Sequence, residues 1–146
     1  MKPDPRDQPH RKQMRQRILD DHRRIGELSS RIASEGDPAR LAEALKSLLP
    51  LLQRHFREEE DEIDGLHASI LEHAPEHQNE LQRLKEEHKR ILDRAQLLLS
   101  IAEESGDGGE KLRMLGQQLR ERLAGHEAKE TELFLHSIWT DIGEGD

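Results

Sequence analysis

The 146-residue sequence contains no cysteine, which excludes disulfide bonds, iron–sulfur clusters, cysteine-ligated zinc and thiol catalysis. It also contains no tyrosine, one tryptophan and two phenylalanines, and its apolar residues (32%) are outnumbered by charged residues (37%). So few aromatic residues are unusual in a β-rich fold and typical of helices with a narrow apolar stripe. The composition and length therefore predict an all-α protein of one domain.

Long apolar runs and dense basic segments are scarce as well. No segment resembles a signal peptide or a membrane-spanning helix, so we expect a cytoplasmic protein that does not bind membranes. The net charge of −8, with acidic residues interleaved among nearly all the lysines and arginines, argues against nucleic acid as a partner. Nothing in the sequence identifies a protein partner.

Apolar residues recur at three- and four-residue spacing in four segments, each bounded by residues that break helices. The predicted helices cover residues 10–34, 38–66, 75–104 and 110–140. We expect a flexible proline-rich lead-in over residues 1–9 and an acidic tail over residues 141–146. Four long amphipathic helices with mostly short connections predict an up-down-up-down antiparallel four-helix bundle.

Histidines and glutamates interrupt the apolar stripes of these helices. HFREE at residues 55–59 and HEAKE at residues 126–130 each place a histidine and a glutamate four residues apart, and therefore on one helix face. The other two helices carry one inward histidine each. A buried carboxylate without a partner is costly, so these groups need compensation. The inward polar residues are His22, His55, Glu59, His88, His126 and Glu130.

The four inward histidines are predicted to lie at one level. A rise of about 1.5 Å per residue places His88 level with His126 across the connection between helices 3 and 4, and level with His55 across the connection between helices 2 and 3. His22 is within a few residues of that height. A metal-free, hydrogen-bonded core is the alternative, and it suits any single buried histidine or glutamate. Four imidazoles and two carboxylates in one apolar layer instead favour two ions of iron, manganese or zinc, bridged by the glutamates.

These motifs resemble the hemerythrin family. Its pattern has one histidine on helix 1, His-x-x-x-Glu on helix 2, one histidine on helix 3, and His-x-x-x-Glu or His-x-x-x-x-Asp on helix 4. This pattern is met by DHRRI, HFREE, EEHKRI and HEAKE. HFREE and ETELFLHSI are also similar to HFxxEExxLFP of bacterial hemerythrin-like proteins. The resemblance implies an oxo- or hydroxo-bridged di-iron centre, with manganese or zinc less expected. Its ligands would be the nitrogens of His22, His55, His88 and His126 and the bridging carboxylates of Glu59 and Glu130.

Two features depart from the oxygen-carrying members of that family. Those proteins have His-x-x-x-His on helix 3, and here His73 and His77 have this spacing. They lie about 11 residues, or some 16 Å, from His88, so we expect them in the connector rather than in the site. The segment IDG at residues 63–65 also replaces the usual LFP.

The remaining histidines and acids are interpreted as surface residues. We expect His10, His67 and His136 at the surface. The acids around Glu59 are expected to face water, although Glu58 or Glu62 could accept a hydrogen bond from a ligand histidine. These acids are Glu58, Glu60, Asp61 and Glu62.

The resemblance also bears on function. With four histidines and two glutamates, each iron would keep an open position, which implies binding of O₂, NO or peroxide, with peroxide consumption as a further activity. Whether the protein is an enzyme is left open. The alternative is a non-catalytic module for iron storage, iron or oxygen sensing, or stress response.

Overall fold

A computed structural model of the chain describes residues 9–104 and 109–144, and their side chains over residues 12–104 and 109–137. The described residues form five α-helices and no strand, which confirms the all-α class. The helices are α1 (Pro9–Ser34), α2 (Pro38–Glu59), α3 (Leu66–His73), α4 (Gln78–Glu104) and α5 (Glu110–Glu144). A 3-10 turn (Pro75–His77) joins α3 to α4. None of the described helices is long and apolar enough to span a membrane.

Two predicted segments fall partly outside the described residues. The parts that lie outside are residues 1–8 of the expected lead-in and residues 145–146 of the expected tail. The α5 helix continues to Glu144, past the start of that tail.

The second long helix ends at Glu59 instead of continuing to Leu66 as predicted. The chain turns at Asp61, whose Oδ1 accepts hydrogen bonds from the backbone N–H groups of Ile63 (3.0 Å) and Asp64 (2.9 Å). A Cβ at Gly65 would lie 2.5 Å from the Asp61 carbonyl oxygen, so only glycine fits this turn. The predicted helix boundary was wrong because hydrogen bonds to the Asp61 side chain favour a turn here, although the apolar stripe continues in the sequence.

The four long helices enclose a shared core. The α1 and α4 helices each pack against both α2 and α5, and the short α3 packs mainly against α5. The buried apolar residues form two clusters, one that includes Ile25 and Ile91 and another that includes Ile18 and Leu84. His22 lies between Ile18 and Ile25 on α1, and His88 lies between Leu84 and Ile91 on α4. A polar layer therefore separates the two apolar clusters.

Candidate metal site

The structure brings all six sequence-predicted site residues together in this layer. They form two groups, and within each group one potential ligand atom per residue lies within 4.8 Å of the others. The first group is His22, His55 and Glu59, and the second is Glu59, His88, His126 and Glu130. Glu59 belongs to both groups, so the two sets of potential ligands are adjacent and share one carboxylate.

The two oxygens of Glu59 face different histidines. Its Oε2 lies 3.3 Å from His22 Nε2, while its Oε1 lies 3.2 Å from His55 Nε2 and 3.4 Å from His88 Nε2. The side chain is completely buried. This carboxylate is therefore close to potential ligands of both groups at once.

Glu130 is also completely buried and lies at the other end of the second group. Its Oε1 is 2.9 Å from His126 Nε2, and its Oε2 is 3.8 Å from His88 Nε2. This carboxylate belongs to the second group alone. Its position therefore differs from that of Glu59, although the two residues occupy equivalent places in their motifs.

Four buried atoms that face the second group make no hydrogen bond within the described part of the chain. They are His88 Nε2, His126 Nε2, Glu59 Oε1 and Glu130 Oε1. Buried polar atoms without partners are uncommon because they lose their contacts with water and gain nothing in return. A cation bound by these nitrogens and oxygens would satisfy all four. The absence of sulfur from the set suits iron, manganese or zinc.

Carboxylates lie behind three of the layer histidines and accept hydrogen bonds from two of them. His88 Nδ1 donates to Glu60 at 2.8 Å, and His126 Nδ1 donates to Glu87 at 2.7 Å. His55 Nδ1 lies 3.6 Å from Asp21. A proton on Nδ1 leaves the lone pair of Nε2 directed into the layer, as metal-binding histidines require.

The carboxylates in this role are Glu60 and Glu87 rather than Glu58 or Glu62, which the sequence had suggested. Glu60 was expected to face water but is half-buried against His88, while Glu58 lies 3.5 Å from Arg17 and Glu62 is exposed. Glu87 directly precedes His88 in the sequence, yet it contacts His126 across the helix pair. Sequence spacing contains no signal for such a contact between helices.

Without a metal the layer is held together by ion pairs. Burial opposes the charge on Glu59, but the neighbouring imidazoles of His22, His55 and His88 outweigh it and hold the pKa of this carboxyl well below its usual value. Burial likewise opposes the charge on His126, but Glu130 and Glu87 together raise its pKa to about 9. Without a metal, Glu59 is therefore ionised and His126 is protonated at neutral pH.

His67 was predicted at the surface, and this prediction was wrong. Its side chain is buried (7% exposed), and its Nε2 lies 2.8 Å from Glu130 Oε2. Its ring stacks on that of His88, with 5.5 Å between the centroids. The turn at Asp61 directs α3 back against α5 and so returns His67 to the layer. A fifth histidine therefore reaches the site from the short helix.

The other four histidines are His10, His73, His77 and His136, and the last three lie outside the layer. His73 ends α3 and His77 ends the 3-10 turn, so both lie in the connector as predicted. His136 is exposed as predicted. His10 belongs to α1, but its side chain lies outside the described ones.

Replacing His67 with alanine is expected to weaken metal binding roughly 10- to 100-fold, because Glu130 loses the imidazole that holds its second oxygen. Chelator competition measures this affinity. Ser69→Ala on the same helix is the control and should bind metal normally. His67→Gln retains a hydrogen-bond donor and should recover part of the affinity. An unchanged affinity in His67→Ala would show that Glu130 needs no support from α3.

A cavity of about 420 Å³ between α1 and α5 connects the layer with the exterior. His22 and Glu130 lie at its inner end, and Ile18, Leu19 and Phe134 contribute apolar walls. The side chain of His22 is 17% exposed, whereas the other residues of the two groups are almost completely buried. Small molecules can therefore approach the layer from the His22 side.

A protein-family model described as the Hemerythrin HHE cation binding domain matches residues 13–138, which include the six layer residues and His67. Neither the curated proteins nor the solved structures give a match to the chain.

Proposed function

Since the chain belongs to the Hemerythrin HHE cation-binding domain family, we propose that its layer holds two iron ions and binds O₂, NO or peroxide. The observation that carries this proposal is the position of Glu59, a buried carboxylate shared by two groups of histidine ligands. A pair of bound irons supplies reversible one-electron chemistry toward such small ligands.

The distances support a division of the ligands between the two positions. His22, His55 and Glu59 would hold one iron, and His88, His126, Glu59 and Glu130 the other. Glu130 lies in one group only. Its role as a second carboxylate that bridges the two irons remains a prediction. His67 is placed to orient Glu130 rather than to replace a ligand.

The same family membership supports the predicted topology. We propose that α1, α2, α4 and α5 run up-down-up-down as an antiparallel four-helix bundle. The short connection between α1 and α2, and the packing of each long helix on two others, support this arrangement. The cytoplasmic location also remains a prediction.

The cavity supports binding of a small ligand on the His22 side. The first group has three protein ligands, one fewer than the second, and its His22 lines the cavity. The apolar walls would admit a small neutral oxidant and limit the entry of water, which favours binding at the layer over release of ligand into solvent.

Iron analysis and an absorption spectrum test this proposal. Two irons per chain together with the absorption of an oxidised di-iron pair are the expected result, and zinc or no metal in protein purified with iron present would overturn it. Reversible spectral changes with O₂ would indicate binding. Catalytic loss of added peroxide would indicate an enzyme.

Narrowing the cavity should slow ligand entry without removing iron. Leu19 is exposed (60%) and lines the cavity, so Leu19→Trp is expected to reduce the rate of reaction with NO or peroxide severalfold at unchanged iron content. Leu97→Trp, at a similarly exposed leucine (57%) on α4, is the matched control. Equal rates in the two variants would show that ligands use another route. Stopped-flow absorption measures the rates.

The second candidate function is a non-catalytic iron or oxygen sensor, and one contact favours it. The eight-residue α3 is tied to the layer through the contact of His67 with Glu130, so a change of ligand there would be transmitted to α3. A sensor of this kind would show stoichiometric spectral changes with altered protease sensitivity of α3, and no turnover of peroxide.

A further inference from the structure

A second pair of histidines lies away from the layer, where the turn between α3 and α4 meets α5. His77 Nε2 and His136 Nδ1 are 2.8 Å apart, and the ring centroids lie 4.8 Å apart in an edge-to-face arrangement. His136 is six residues beyond Glu130 on α5, or about 9 Å along the helix. The pair is therefore separate from the site described above.

Carboxylates complete the surroundings of this pair. Glu76 places an oxygen within 4.8 Å of a nitrogen from each histidine. On its other side, His77 Nδ1 lies 3.5 Å from Glu80 Oε1. Glu80 can hold the proton on Nδ1, which leaves Nε2 of His77 directed toward His136. This is the arrangement that carboxylates give to the layer histidines.

The spacing of the two nitrogens is close to what a metal requires. A divalent ion with metal–nitrogen bonds of about 2.05 Å and a tetrahedral angle holds its nitrogens about 3.3 Å apart. Opening the pair from 2.8 Å by about half an ångström requires only a small rotation of His136, whose side chain is exposed. A hydrogen bond between neutral imidazoles is the alternative explanation of this contact, and it predicts that no metal binds here.

We propose that Glu76, His77 and His136 form a second, mononuclear site for a divalent transition-metal ion of the Zn²⁺ class. Two imidazoles and one carboxylate suit this class of ion, and three protein ligands leave a fourth position for water or another small ligand. The bound ion would fasten the connector between α3 and α4 to α5. Because α3 carries His67, the same ion would help to hold that histidine against Glu130.

Calorimetric titration of the iron-loaded protein with Zn²⁺ tests the proposal. The expected result is one further equivalent of bound metal at unchanged iron content. His77→Ala and His136→Ala should each weaken this binding roughly tenfold or more. His73→Ala, which removes the histidine one turn before His77, is the matched control and should bind the additional ion normally.

The outcomes separate this site from the di-iron proposal. Because His136 is exposed, His136→Ala should fold normally, and circular dichroism checks this. Co²⁺ in place of Zn²⁺ should give the intense visible absorption of a four-coordinate site, which the two variants should lose. Zn²⁺ binding that persists in both variants, or that disappears equally in His73→Ala, would overturn the proposal. The decisive quantity is the equivalent of metal lost in these variants relative to the unaltered protein, which is the same whether or not the layer itself takes up Zn²⁺.

Discussion

Replacing Glu59 with alanine is expected to remove both metal ions from the layer. Glu59 is the one residue common to both ligand groups, and its two oxygens face histidines of both. Its loss leaves the first group with two imidazoles and no carboxylate. The iron content should therefore fall from two ions per chain to nearly none, with loss of the di-iron absorption. Elemental analysis of the purified protein measures the content.

Three further variants make this result specific. Glu62→Ala changes an exposed acid three residues away and should leave the iron content unchanged. Glu130→Ala removes a carboxylate from the second group alone, so it should retain more iron than Glu59→Ala. Glu59→Gln preserves the shape of the side chain and tests whether loss of metal arises from misfolding. If Glu59→Ala kept two irons, the shared-carboxylate geometry would be wrong.

Metal-free protein is expected to lose stability as the pH rises from about 6.5 to 9. The folded state holds a proton on His126 because Glu130 and Glu87 raise its pKa to about 9, whereas the unfolded chain releases this proton near 6.5. A raised pKa contributes stability below the unfolded value, and that contribution disappears through the folded value. The loss is on the order of 3 kcal/mol, a large part of the stability of a domain this size.

Stability should also fall on the acidic side. The pKa of Glu59 is held well below its usual value of 4.5, so the stability from its charge is present above that value and is lost as the pH falls toward its folded pKa. Metal-free protein should therefore be most stable between about 4.5 and 6.5. Urea unfolding at several pH values on chelator-treated protein measures this profile.

The metal-loaded protein and a histidine variant provide the controls. In the loaded protein the layer nitrogens bind the ions rather than protons, so the loss between pH 6.5 and 9 should disappear. His126→Gln cannot be protonated and should lack most of the alkaline decline even without metal. A metal-free profile that stays flat from 6.5 to 9 would contradict the ion-paired layer.

The sequence by itself determined the helical class and the six inward residues of the layer. Both depend on local geometry, because residues three and four apart lie on one helix face whatever the rest of the chain does. HFREE and HEAKE therefore placed His55, Glu59, His126 and Glu130 on inward faces before any packing was known. Whether these six residues bind the metal as the family resemblance implies remains a prediction.

Only the tertiary structure decided how these residues are grouped and which others reach them. The contact of His67 with Glu130 joins residues 63 positions apart, and that of Glu87 with His126 joins residues 39 apart. Periodicity along one helix contains no information on such contacts, which depend on how neighbouring helices are placed. The position of His67 depends on the turn at Asp61, whose side chain accepts two backbone hydrogen bonds. This turn follows the end of α2 and reverses the chain, so that α3 packs near the layer.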